Sequence, residues 1–95
     1  MIVHFHSEAE AEVLEARNWY AERSAIAARA FSTEIASSIQ KIADAPERWK
    51  SYEFGTRRFI LPNFPFSIIY RVHENAVQVV AVSHHRRRPG YSRSR

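Results

Sequence analysis

The sequence predicts an α+β fold of two layers, in which an N-terminal strand and an antiparallel α-hairpin pack on a small, mainly antiparallel β-sheet in the order β-α-α-β-β-β. Three observations carry that expectation. Apolar residues recur at three-and-four spacing from Ala9 to Ile42, the period of helices that bury one face. From Arg57 onward the period falls to two, which is that of a strand. The helical part also comes before most of the strands instead of alternating with them, which segregates the helices into one layer. A helical hairpin cannot bury its stripe alone, so the sheet must cover it.

The elements follow in order. Ile2, Val3 and Phe5 with polar neighbours read as a short opening strand. Ser7 followed three residues later by Glu10 reads as a capping box, with Ser7 as the N-cap of the first helix. That helix carries Ala9, Val13, Ala16 and Tyr20 on one stripe, and Glu8, Glu10, Glu12 and Glu15 sit near its N-terminus, where the helix dipole favours acids. Trp19 and Tyr20 read as helix-packing aromatics. Arg23-Ser24 marks the break, with Ser24 capping a second helix whose stripe is Ala28, Phe31, Ile35, Ile39 and Ile42. Pro46 ends it, because the residue before a proline is pushed out of helical geometry. A polar connector, Trp49 to Gly55, leads to a strand in which Arg57, Phe59 and Leu61 alternate with Arg58 and Ile60. Trp49 and Tyr52 are placed to cover a sheet edge. Pro62-Asn63-Phe64-Pro65 is a turn, Phe66 to His73 a strand, Glu74-Asn75 a hairpin tip, and Ala76 to His84 the last strand. Val77, Val79, Val80, Ala81 and Val82 make that last strand apolar on both faces, which marks it as central.

Size and composition set bounds. The 95 residues suit one domain, 1–95, ending in a basic tail, 86–95. A hydrophobic content of 45% supports a packed core and excludes disorder. With no cysteine there is no disulfide staple, so the fold stands on its core or on a partner. No signal peptide or membrane-length apolar run is evident, and a cytoplasmic location is the expectation. His4, His6 and His73 have no metal-site spacing, and no metal or cofactor is expected.

Charge is unevenly placed. Residues 1–50 carry six Lys/Arg against eight Asp/Glu, whereas residues 51–95 carry eight Arg against two Glu. Every basic residue after Lys50 is Arg, whose planar fork pairs with phosphate or carboxylate and stacks on bases. An Arg-only half points to an anionic partner: nucleic acid, an acidic protein, or both. A solvated basic tail is the bland alternative.

The residues now assembled resemble the RelE/ParE toxin–antitoxin superfamily. The resemblance covers nearly the whole chain. It rests on the opening Ser7-Glu8-Ala9-Glu10, on Trp19-Tyr20 and Phe31, and above all on the C-terminal half. There it runs through Thr56-Arg57-Arg58-Phe59, Phe64 to Val72, and Val79 to Tyr91. It implies a toxin neutralised by a cognate, acidic antitoxin. It also implies one of two targets: DNA gyrase, as for ParE-like members, or the ribosome and its mRNA, cleaved by RelE-like members.

Metal-free cleavage of RNA needs a base for the 2′-hydroxyl, cations for the phosphorane and an acid for the leaving oxygen. By resemblance, Arg58 and Arg87 fall at two basic positions of a RelE-like site, and Tyr91 lies close to its tail tyrosine. Ile60 and Ser67 stand where two further basic residues belong, which moves the expectation toward the ParE-like side. His84 and His85 are candidates for acid–base work because histidine titrates near neutrality. Read as ordinary residues, they are a polar strand end and a surface side chain. Arg57, Arg58, Arg71, Arg86, Arg87, Arg88 and Tyr91 are the candidates for contact with nucleic acid or a protein partner. Tyr91, after Pro89-Gly90, either stacks on a base or folds the tail back. Ser92 stands where relatives often carry Trp, so a tail–core contact is expected to be missing. Gyrase inhibition is slightly preferred. The alternatives are ribosome-dependent mRNA cleavage and a degenerate, non-toxic antitoxin-binding domain.

Overall fold

A computed structural model describes all residues, 1–95. Strand β1 (Ile2–Phe5) leads into α1 (Ser7–Ala21) and α2 (Ala25–Asp44). A two-residue strand β2 (Lys50–Ser51) and a 3-10 turn (Glu53–Gly55) precede β3 (Arg57–Ile60), β4 (Phe66–His73) and β5 (Ala76–His84). The sheet order is β1-β5-β4-β3-β2, antiparallel throughout except for the parallel β1–β5 pair. This is the expected β-α-α-β-β-β order with one short edge strand, β2, added in the connector.

The start of α1 differs from the sequence reading. His6, not Ser7, is the N-cap: its Nδ1 accepts from the Glu8 N–H at 3.0 Å, and no capping box with Glu10 forms. The reason lies in the preceding strand. The His6 N–H is still bound to the Val79 carbonyl at 2.8 Å, which holds His6 extended and passes the helix start to Ser7. Ser24 caps α2 as expected, accepting from the Ala27 N–H at 3.1 Å. The hairpin tip at Glu74-Asn75 has positive φ at both residues (50° and 61°), the backbone of a type I′ turn.

The core lies between the helices and one sheet face. Ala9 and Ala16 of α1 and Phe31, Ile35 and Ile42 of α2 meet Phe59, Leu61, Ile68, Tyr70, Val77, Val79 and Val82. Burying each large side chain of this kind is worth about 1.5–3 kcal/mol. Tyr20 joins it, packed on Phe31 and Phe64 with ring centroids 5.4 and 5.1 Å away. Trp19 does not: it is 52% exposed, with the Arg23 guanidinium 3.7 Å above its ring. Consecutive helical residues point about 100° apart, so the stripe that turns Tyr20 inward turns Trp19 out. Glu34 of α2 accepts from the backbone and side chain of Asn63, at 2.9 and 2.7 Å, and ties the β3–β4 turn to the helices.

The apolar run of β5 has a more specific cause than a central position. Ile69 pairs with Ala81 and Tyr70 with Val79, which leaves Val80 as an extra residue. The helix-facing set therefore slips from Val77 and Val79 to Val82. Ile69, Val80 and Ala81 form a second, smaller cluster with the partly buried Tyr52 and Tyr91. The cover over this second cluster is the C-terminal tail, which turns back after His84.

Candidate functional site

The tail and the sheet enclose a basin of about 270 Å³. Three strands and the tail build it. Arg58 comes from β3, Ser67 from β4, His84 from the end of β5, and His85, Arg87 and Tyr91 from the returning chain. Alternation along β3 turns Phe59 to the core and leaves Arg58 facing the opposite way. Its Nε donates to Ser67 Oγ at 3.0 Å, and Ser67 Oγ lies 3.1 Å from His85 Nε2. Ser67 is almost wholly buried (1%), so this hydroxyl is a fixed joint between a cation and an imidazole. Arg87 lies over the Tyr91 ring at 4.5 Å, and Arg58 over the Tyr52 ring at 5.4 Å. The lining includes three arginines and two histidines and no aspartate or glutamate. None of these arginines has a carboxylate within ion-pair distance. A lining of this charge is chemically suited to an anion.

The sequence-predicted candidates divide accordingly. Arg58, His84, His85, Arg87, Arg88 and Tyr91 line the basin. Arg57 does not: its guanidinium is spent on the carbonyls of Glu47 and Trp49, at 3.1 and 2.7 Å, and holds the connector. Arg71 is likewise committed, to Gln78 Oε1 at 2.8 Å and the Arg95 main-chain oxygen at 2.7 Å. Arg86 lies outside, beside a separate groove with Trp19, Tyr20 and Phe66. His84 packs edge-on against Phe66 at 5.0 Å, and its Nδ1 accepts from the Arg86 N–H.

Two residues central to the arrangement are absent from the sequence reading of the site. Glu12 of α1 accepts from the Tyr91 hydroxyl at 2.6 Å and from Arg95 at 2.8 Å. Arg95 in turn donates to the Val80 carbonyl at 3.0 Å. These contacts correct the expectation of a missing tail–core contact at Ser92: Tyr91 and Arg95 make it instead. A signal for Glu12 exists. It stands three residues after Ala9 and four before Ala16, inside the buried stripe, where an acid needs a partner.

Electrostatics follow the geometry. Burial pushes the Tyr91 hydroxyl up to about 12, and the Glu12 carboxylate that accepts its proton adds to the rise. Burial likewise raises Tyr70 to about 12, opposed by the Arg57 charge, and its hydroxyl donates to the Pro46 carbonyl at 2.5 Å. Arg95 is raised although burial alone would lower it, because the bond and charge of Glu12 outweigh desolvation. No group of three or more His, Cys, Asp or Glu side chains comes together as a metal site.

Residues 3–89 match the family model described as the ParE toxin of type II toxin–antitoxin system, parDE. The chain belongs to the ParE toxin family. A solved structure titled as the chromosomal ParDE TA system from P. aeruginosa contains a chain with the same fold. The TM-score is 0.78 at 18% identity, over 88% of this chain and 95% of that one. No curated protein sequence matches the chain. The ParE match includes Arg58, Ser67, His84, His85 and Arg87 and ends at Pro89, so Tyr91 and Arg95 lie beyond it. No helix is long and apolar enough to cross a membrane.

Proposed function

We propose that this ParE-family chain is a growth-arresting toxin that binds DNA gyrase and inhibits it without cleaving RNA. An acidic cognate antitoxin silences it. One observation carries the non-enzymatic part. The Tyr91 hydroxyl, the candidate proton carrier in the tail, is bonded to Glu12 and raised to about 12. Bonded to Glu12 beneath the tail, that hydroxyl is committed to the fold and not presented to a substrate. What the basin offers is fixed cations, which suit binding an anionic surface. The uneven charge of the chain supports an acidic antitoxin in the same way.

A supercoiling assay with purified gyrase tests this reading. The toxin stops supercoiling at the doses that arrest growth, and the antitoxin restores it. Normal supercoiling at toxic doses would overturn the gyrase assignment. A second reading, ribosome-dependent mRNA cleavage, draws on the Arg58–Ser67–His85 chain, which sets an imidazole beside a cation. It requires cut messages during growth arrest and their loss in an Arg87→Ala variant.

A further inference from the structure

The basic tail is held down at an unusual place. Strand β1 pairs only with Ala76 to Val79 of β5, and the His6 N–H adds one more bond, to the Val79 carbonyl. Past that point the outer edge of β5 has no neighbouring strand. Two side chains take the place of one. Glu12 Oε1 accepts from the Val82 N–H at 3.0 Å, and Arg95 Nη1 donates to the Val80 carbonyl at 3.0 Å. The two pair with each other at 2.8 Å, with Glu12 only 17% and Arg95 11% exposed. The other Glu12 oxygen receives the Tyr91 hydroxyl, and Arg71 holds the Arg95 main-chain oxygen.

We infer that Glu12 is a positioning residue: it straps the tail over the open edge of β5 and thereby sets Arg87, through Tyr91, at the wall of the basin. The inference rests on the proposed role of the basin in meeting the target, but its first test does not. Only three buried apolar residues, Ile69, Val80 and Ala81, lie in the cluster beneath the tail, so apolar burial holds it weakly. Polar fastening therefore decides its position. Without Glu12, a largely buried guanidinium loses its nearer counter-charge and keeps only the exposed Glu8 carboxylate at 3.4 Å, and the Val82 N–H and Tyr91 hydroxyl lose their acceptor. Helix α1 itself stays docked through Ala9 and Ala16, so the tail yields before the domain does. Arg58 sits on β3 and is bonded to Ser67, so it keeps its place whether the tail is down or not.

Hydrogen exchange on the toxin alone, comparing the native chain with Glu12→Ala and Glu12→Gln, is the direct test. In Glu12→Ala the amides of Val82, Tyr91, Arg93 and Arg95 exchange roughly ten- to a hundredfold faster, the scale of one lost bond to a charged group. Those of Ile68 and Tyr70 in β4 stay unchanged. Glu12→Gln keeps an acceptor for Val82 and gives a smaller rise confined to the tail. Equal acceleration everywhere, or none in the tail, overturns the inference. A second arm reads the coupling in the supercoiling assay. Arg87→Gln weakens inhibition about tenfold in the native background, as loss of one well-placed charge contact does, and has no further effect beside Glu12→Ala. Arg58→Gln costs the same in both backgrounds. Equal Arg87→Gln effects in both backgrounds overturn the inference. If the toxin leaves gyrase untouched, the gyrase reading falls and the exchange result alone decides the strap.

Discussion

The two faces of the sheet are covered by different means. On one, α1 and α2 bury a cluster of twelve apolar residues. On the other, a returning tail covers three and is held by Glu12, Arg71 and backbone turns. Apolar area is non-directional and adds up over many side chains, whereas the few bonds to charged groups are directional and fix geometry. The helix side thus supplies the free energy of folding. The tail side supplies a shaped, cationic surface fastened by few contacts. A small domain has little stability to spare, so a division of this kind lets the tail-covered face vary without unfolding the rest.

Substitutions on the two sides should separate cleanly. Phe31→Ala removes the fully buried aromatic that touches Tyr20, Phe64 and Phe66, and the expected loss is about 3–5 kcal/mol, read as a large fall in denaturation midpoint. A tail substitution with the same global cost would erase the distinction. Gly90→Ala acts on the other side. Gly90 has φ +82°, and an added Cβ would come within 3.1 Å of Glu53 Oε2 and the Phe54 ring. A cost of about 1–2 kcal/mol is expected, felt as faster trypsin cleavage after Arg87 or Arg93 with the melting temperature nearly unchanged.

Alkali should affect both faces, each through one tyrosine. Tyr70 on the helix side and Tyr91 under the tail both bind their protons more tightly when folded, each with its pKa at about 12 against an ordinary 10. The stability they contribute is fully present below pH 10 and is lost as pH rises toward about 12. Tyr91→Phe therefore flattens part of the alkaline rise in tail hydrogen exchange, and an unaltered profile would mean that the Tyr91 hydroxyl is not buried and bonded beneath the tail. The smallest change touches neither face. Glu74→Asn relieves a glutamate held at φ 50°, which asparagine tolerates better, and should raise stability by under about 1 kcal/mol.

How much of this was legible in the sequence differs between the same two faces. The helix side was readable because periodicity reports a flat apolar contact: Ala9, Ala16, Phe31, Ile35 and Ile42 all stand on the predicted stripes and are buried. Strands β4 and β5 fall at the predicted residues. The tail side was readable only in part. Composition marked the arginines after Lys50 together as candidates for an anionic contact, and the family resemblance singled out Arg58 and Arg87, which both line the basin. Composition gave no way to tell them from Arg57 and Arg71, which are tied up by carbonyls through tertiary geometry. The place of Glu12 in the buried stripe signals that it needs a partner, but not which one, because its partners lie about 70 to 83 residues away in the chain. The His6 cap went unread because it depends on a bond to Val79 across the sheet.

Arg58 is where the division between the faces can be probed most directly, since it lines the basin and touches none of the core. Gyrase supercoiling should be measured with the native toxin and with Arg58→Gln at matched melting temperature. The native chain should inhibit, and Arg58→Gln should need roughly ten times more protein for the same effect, about the loss of one charge-assisted contact. Equal inhibition by the two, with the fold intact, would contradict the assignment of the tail-covered face as the one that meets the target.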